Sequence, residues 1–321
     1  EDLVPHQQIV VSITKTGYMK RVPLETYRAQ RRGGRGIAGM ATREEDAVNH
    51  LIVCDTHDSL LMFTKTGKVF SLRGFEVPES SRQARGLPVI NLIELNTDDS
   101  VTAVVVVRDF KRDSMLLATT QGEVKRTPLE QFESVRRAGL IAMKLKTGDS
   151  LCVARAASES NDALMFSSDG QAIRFNVGIL RVASRSSGGV RGMKLRGNAH
   201  IVALAVDADG SDILVVTKNG LGKRTAIDEY PTKGRGGMGV QTFRITERTG
   251  EVAVAANVKD SEELLLITVE GVMNRQRIDT ISQQGRATQG VQVVKPDNGD
   301  YIAALAQIDL DTNLTKEPTT S

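Results

Sequence analysis

The chain has 321 residues, 40% hydrophobic and 25% charged, with a formal net charge of +3, the balance of an ordinary globular protein rather than a disordered or fibrous one. No apolar run nears the roughly eighteen residues of a membrane span, no signal-peptide pattern opens the chain, and Glu1 in place of Met is what a segment of a longer chain would show. Cys54 and Cys152 stand singly in apolar runs and are expected to be reduced core residues of a cytoplasmic protein, while His50 and His57 are too isolated to point to zinc.

Taken in chain order, one turn motif recurs six times. "TKTG" ends at Gly17 and again at Gly67, and is followed by "TTQG" at Gly122, "SSDG" at Gly170, "TKNG" at Gly220 and "TVEG" at Gly271. Each turn follows a short apolar run ("VVSI", "LLMF", "MLLA", "ALMF", "ILVV", "LLLI") and precedes another strand-like stretch, which predicts a β-hairpin closed by a glycine at positive φ. Nineteen residues after the turn stands a second glycine, at Gly36, Gly86, Gly189, Gly239 and Gly290; in the third repeat Gly139 arrives two positions early. Every repeat then closes on a β-rich run such as "VTAVVVV" or "EVAVAANV". A period near fifty residues with room for four strands predicts an all-β, propeller-like array in which each blade buries its faces on its neighbours. The chain has no Trp, so the two propeller families marked by tryptophan signatures do not fit.

Charge is sorted along the chain. The windows 28–36, 181–196 and 233–244 hold four, five and three Lys or Arg and no Asp or Glu, whereas acids gather at 43–46, 97–99, 207–212 and 259–263. The sharpest window is "QRRGGRG", residues 30–36: Gln30, Arg31, Arg32, Gly33, Gly34, Arg35 and Gly36. Arginine forks suit phosphate and glycines let the backbone approach it closely, so the expected ligand is a polyanion. Arg82 and Arg85, Arg136 and Arg137, Arg185 and Arg191, Lys233 and Arg235, and Arg286 occupy equivalent places in the later repeats. In a radial array these loops would share one rim, a curved basic track. Four residues after each turn glycine stands Arg21, Arg126, Arg174, Arg224 or Arg275, with Ser71 the exception. Strand alternation puts that position on the same face as the apolar residue two before it, which leaves both a packing role between blades and a phosphate contact open.

The heptapeptide satisfies Q-[KR]-R-G-G-[KR]-G at all seven positions, and with six repeats over residues 1 to 311 the chain resembles the C-terminal domains of DNA gyrase A subunits. That resemblance implies a six-bladed β-pinwheel whose blades exchange strands, approximately residues 8–58, 59–113, 114–162, 163–212, 213–263 and 264–311, and duplex DNA wrapped on its outer edge. It also implies partners: gyrase B subunits together with a second A subunit in an A2B2 heterotetramer, joined through regions outside this segment. The cleaving tyrosine, ATP and Mg²⁺ would then act elsewhere in that ATP-driven enzyme, with no cofactor or membrane contact in this domain and a cytoplasmic, nucleoid-associated location. Topoisomerase IV domains are the near alternative, but they lack an intact heptapeptide. A propeller that recognises an acidic protein is the alternative of another class. Later repeats keep only "SRQARGL", "VRRAGL", "SRSSGGVRG", "KGRGGMGV" and "QGRATQGV", so the heptapeptide role is assigned to residues 30–36 alone.

Other readings fall away. G-x-G-x-x-G at Gly34, Gly36 and Gly39, and again at Gly234, Gly236 and Gly239, would need a following helix to hold a dinucleotide, and the second copy runs into the strand-like "VQTFRI". No phosphate-loop motif occurs. Aromatics at 4% are too sparse for a single-strand stacking platform, which favours a duplex. Tyr18, Tyr27, Tyr230 and Tyr301 sit in hairpin or strand contexts with no mark of a nucleophile. The polar tail 312–321 is expected to be disordered.

Overall fold

The computed structural model describes residues 3–28, 48–208 and 210–308. The heptapeptide at 30–36 and the tail at 312–321 lie outside the described residues. The first repeat supplies strands β1 (Gln8–Thr14), β2 (Tyr18–Pro23) and β3 (Val48–Asp55), with one four-residue helix, α1 (Glu25–Arg28). The second supplies β4 (Ser59–Thr64), β5 (Lys68–Arg73), β6 (Leu87–Pro88) and β7 (Val101–Val107), and the third β8 (Ser114–Thr119), β9 (Glu123–Pro128), β10 (Leu140–Ile141) and β11 (Leu151–Ala157). The fourth has β12 (Asp162–Ser167), β13 (Gln171–Asn176), β14 (Val190–Arg191) and β15 (Ile201–Val206). The fifth has β16 (Asp212–Thr217), β17 (Leu221–Ala226), β18 (Val240–Gln241) and β19 (Val252–Val258), and the sixth β20 (Glu263–Thr268), β21 (Met273–Arg277), β22 (Val291–Gln292) and β23 (Ile302–Ile308).

Each predicted hairpin forms, and its turn chemistry is visible. Gly17, Gly67, Gly122, Gly170, Gly220 and Gly271 all take φ between 83° and 97°, and each donates its N–H to the carbonyl three residues back at 2.9–3.1 Å. The Thr or Ser that opens the motif adds a second tie: Thr14, Thr64, Thr119, Ser167 and Thr268 accept from the N–H four residues on. The first strand of a hairpin is covered on both faces, so it reads as an unbroken apolar run; β4 and β8 are buried at all six positions. The closing run of each repeat lines the other side of that strand and faces the ring axis on alternate residues, as in β7 and β23.

The sheets, however, are not the repeats. The first sheet has the order β3-β1-β2-β6, the second β10-β5-β4-β7, the third β11-β8-β9-β14, the fourth β15-β12-β13-β18 and the fifth β19-β16-β17-β22. In each, the two-residue outer strand is lent by the next repeat, so five sheets are antiparallel and four-stranded; among the described residues the sixth, β21-β20-β23, has three strands. Six apolar clusters fill the gaps between neighbouring sheets. The last joins Leu265, Ile267, Met273 and Ala306 of the sixth sheet to Val10, Val22, Val48 and Leu51 of the first, so the six blades close into a ring. Cys54 is buried as expected, but Cys152 is only half-buried, because its strand faces the axis.

Leu265 is fully buried in this closing seam. Leu265→Ala should lower stability by about 2–5 kcal/mol, read from urea unfolding, and a loss well under 1 kcal/mol would contradict a packed seam.

Candidate nucleic-acid interface

The loops that lead into the borrowed strands form the outer edge. Register places them tightly: Met19 pairs with Leu87, Val69 with Leu140, Val124 with Val190, Ala172 with Val240 and Gly222 with Val291. The second glycine of repeats two to six enters this pairing from the loop. At Gly86 (φ +87°) an added Cβ would stand 2.4 Å from the Met19 carbonyl, and at Gly239 (φ +75°) 2.2 Å from that of Ala172, so no other residue fits without displacing the backbone.

Successive loops are hydrogen-bonded to each other around the rim. The N–H of Glu94 donates to the Arg137 carbonyl at 2.9 Å, Lys144 to Ser187 at 3.0 Å, Lys194 to Gly237 at 2.8 Å and Arg244 to Thr288 at 3.0 Å. Side chains repeat the connection: Arg185 Nη1 donates to the Ile141 carbonyl, Arg235 Nη1 to Arg191 and Arg286 Nη1 to Gln241, at 2.8–3.0 Å. The basic loops of repeats two to six therefore lie side by side along one curve.

The predicted residues divide by how much of each guanidinium is free to face solvent. Arg85, Arg136, Arg137, Arg191, Lys233 and Arg235 are exposed. Arg85 stacks over the Tyr18 ring at 3.8 Å, Arg136 donates to the carbonyls of Glu133 and Val135, and Arg137 pairs with Glu76 at 2.7 Å. Arg185 and Arg286 are half-buried, and Arg82 is 8% exposed, beneath its loop rather than on it. Gln30, Arg31, Arg32, Gly33, Gly34, Arg35 and Gly36 lie outside the described residues.

Sequence reading passed over a second basic rank. Lys144, Lys194, Arg244 and Lys295 are exposed beside the loops, each five residues after the second glycine of its repeat. That constant offset was the available signal. The second repeat has Glu94 at the place that Lys144 fills in the third, bonded in the same way to the next loop.

The arginines four residues after each turn are structural. Their backbones bridge in parallel to the chain arriving from the next repeat, Arg21 with Glu79, Arg126 with Val182, Arg174 with Thr232 and Arg224 with Gln283. Their guanidinium groups turn inward: Arg21 Nε donates to the Val77 carbonyl at 2.7 Å, Arg174 Nη1 to Ile227 at 2.9 Å and Arg224 Nε to Ile281 at 2.8 Å. Carboxylates at the start of the hairpin's first strand complete the set, with Arg174 on Asp162 and Arg224 on Asp212 at 2.9 Å and Arg275 on Glu263 at 2.5 Å. The phosphate-contact alternative for these residues is thereby displaced by a packing role. Burial works to raise the Asp162 carboxyl, but hydrogen bonds from Thr232, Asn176 and Arg174 outweigh it and hold it below the ordinary carboxylate value. Arg224→Met should cost about 3–5 kcal/mol in urea unfolding, because it strands the buried Asp212 carboxylate; an unchanged midpoint would refute the role.

Gly234, Gly236 and Gly239 lead into β18, not a helix. Tyr230 is buried against Thr242, its phenol pushed up to about 12 by burial. Among the described residues no group of three His, Cys, Asp or Glu is placed to hold a metal ion, and no helix is long and apolar enough to cross a membrane.

Fold and rim together define a six-bladed, strand-exchanging β-propeller with a basic outer edge. The family model described as DNA gyrase C-terminal domain, beta-propeller, matches in six segments, 8–55, 58–108, 113–152, 161–206, 211–259 and 262–309, and the chain belongs to that family. It is 42% identical over 312 residues to the A subunit of DNA gyrase from Staphylococcus epidermidis (strain ATCC 12228), covering 96% of this chain and 35% of the relative. Against the corresponding gyrase protein of Staphylococcus aureus (strain MRSA252) it is 41% identical over 321 residues, covering 99% and 36%. The chain thus spans about a third of the length of the curated relatives it matches. A solved DNA gyrase A C-terminal domain superposes with a TM-score of 0.85 at 26% identity, covering 94% of this chain and 100% of that one. The C-terminal domain of DNA topoisomerase IV shares the fold, with a TM-score of 0.71 at 22% identity and coverage of 96% and 95%.

Proposed function

We propose that this chain binds, bends and wraps duplex DNA around its outer rim. The observation that carries the reading is the hydrogen-bonded succession of basic loops along one edge, with the rank Lys144, Lys194, Arg244 and Lys295 beside it. A stiff duplex following that edge meets cationic groups blade after blade, and phosphate contacts of this kind give position and affinity without reading sequence. Smooth bending of 20–30 base pairs by 40–90° costs about 1–6 kcal/mol, which contacts spread over several blades can offset. Arg31, Arg32 and Arg35 of the heptapeptide anchor one end of the path.

Within a longer gyrase A protein, assembled with a second copy and two gyrase B subunits, wrapping with fixed hand presents one DNA segment for strand passage. It thereby lets ATP and Mg²⁺, used elsewhere in that assembly, drive negative supercoiling. The site of action on this reading is the cytoplasm, at the nucleoid. The domain itself is a non-catalytic part of that topoisomerase and needs no cofactor of its own.

With eight to ten phosphates neutralised, the logarithm of affinity should fall against the logarithm of salt with a slope of about −7 to −9, and removing Lys144, Lys194 and Arg244 together should flatten it by about 3. A slope near zero would sink the reading and favour an acidic protein as the ligand. A nicked circle sealed while bound should change linking number. Replacing Arg31, Arg32 and Arg35 by Ala should abolish that change while weakening simple attachment less; circles sealed identically with and without the protein would contradict wrapping.

A further inference from the structure

Three lysines are buried beneath the rim. Lys20, Lys125 and Lys223 are 1%, 2% and 0% exposed, and each stands three residues after the turn glycine of an odd-numbered repeat. Their ammonium groups point at the loop lent by the following repeat. Lys20 Nζ donates to the carbonyls of Ser81, Arg82 and Ala84 at 2.9, 2.8 and 2.7 Å. Lys125 Nζ donates to Ser184, Arg185 and Ser187 at 3.0, 2.7 and 3.0 Å, and also to Ala142 at 2.6 Å. Lys223 Nζ donates to Gly285, Arg286 and Thr288 at 2.7, 2.7 and 3.0 Å, and to the Thr288 hydroxyl. The first, second and fourth residues of each loop supply the acceptors every time.

Even-numbered repeats are built differently. Phe70, Ile173 and Asn274 occupy the lysine position, and the ring of Phe70 and the methyl of Ile173 lie directly under Gly139 and Gly237.

A peptide unit is planar and trans, so a carbonyl turned inward turns the following N–H outward. In the three lysine-held loops those N–H groups belong to Arg82, Gln83 and Arg85, to Arg185, Ser186 and Gly188, and to Arg286, Ala287 and Gln289. The Arg185 N–H donates to Gln131 Oε1 at 2.8 Å. Outward peptide N–H groups of this kind form a concavity for an anion.

We infer that Lys20, Lys125 and Lys223 are positioning residues that set the loops of repeats two, four and six as backbone clamps for DNA phosphates, one on every second blade. The inference rests on the duplex-wrapping reading above and adds to it a role for the main chain. The charged side chains that face the lysines are Arg82 at Lys20, Arg185 at Lys125, and Glu229 and Arg286 at Lys223. Burial, helped by Arg82 and Arg185, pushes the first two ammonium groups down to about 8. Burial likewise takes Lys223 to about 8, with Glu229 opposing and Arg286 reinforcing the shift. A neutral amine has one hydrogen fewer for the cage, so the clamps loosen as pH rises through 8. Exposed Lys and Arg keep their charge to about pH 10 and above.

The test measures bending, by energy transfer between the ends of a duplex of about 150 base pairs, and attachment, by gel shift, on the same 321-residue chain between pH 7 and 9.5. The unmutated protein should lose bending as pH rises while much of its attachment persists; bending that is level across this range overturns the inference. Lys20→Met, Lys125→Met and Lys223→Met combined should weaken DNA binding at pH 7 at least tenfold and remove the pH dependence. The controls Phe70→Leu and Ile173→Leu should leave bending unchanged. A folded triple variant that bends like the parent refutes the role of the lysines, and where it does not fold the pH series alone decides. Failure of the unmutated chain to hold or bend duplex at any pH would instead overturn the wrapping reading itself.

Discussion

Pairing between a hairpin and two residues of the next repeat is the interaction on which this structure depends. It is small, only Met19 with Leu87 and Tyr18 with Pro88 in the first sheet, yet it fixes where the intervening loop must run. The loop leaves the hairpin of its own repeat, crosses under the guanidinium of the preceding one and turns back at a glycine to lie on that hairpin's open edge. Covering a sheet edge in this way removes a site for unwanted pairing and, in the same stroke, puts a basic loop at each of the five junctions where a borrowed strand is described. The basic rim is thus a by-product of how the edges are capped.

Buried cations are unusual in a core, and here two sets of them do separate work. Of the arginines four residues past a turn, Arg174 meets two carbonyls of the crossover and a carboxylate from the hairpin's first strand, and Arg224 one carbonyl and such a carboxylate. Their planar forks suit a carboxylate and a carbonyl held in one plane, a geometry that an ammonium does not match. The lysines one residue earlier donate chiefly to carbonyls of one borrowed loop, to which Lys125 adds the Ala142 carbonyl and Lys223 the Thr288 hydroxyl. Neighbouring positions on one strand therefore hold the two halves of the same borrowed segment.

Much of this was legible in the residues. Turn glycines, apolar runs and the second glycine are local signals, each answerable to backbone geometry, and they located the hairpins and the six-fold repeat. Strand exchange was reached only through the heptapeptide resemblance, because period-two patterns say nothing about which repeat a two-residue strand joins. The fate of Arg21, Arg126, Arg174, Arg224 and Arg275 was open for a related reason: alternation gives a face but not whether a neighbour lies over it. Lys144 and Lys194 escaped notice because each looked like one charge among many, and their common distance from a glycine gains meaning only once the loops are seen to touch. Arg82 went the other way, a residue whose motif suggested the surface and whose carbonyl-rich loop folded over it.

Interlocking also has a consequence for how the protein is made. A sheet whose last strand is encoded some seventy residues after its first, as with β1 and β6, cannot be sealed until the ribosome has released the following module. Growth from the N-terminus therefore proceeds with one unfinished margin always showing, moved along by a sixth of the circle each time, and no module can be excised from the gene without reopening its predecessor.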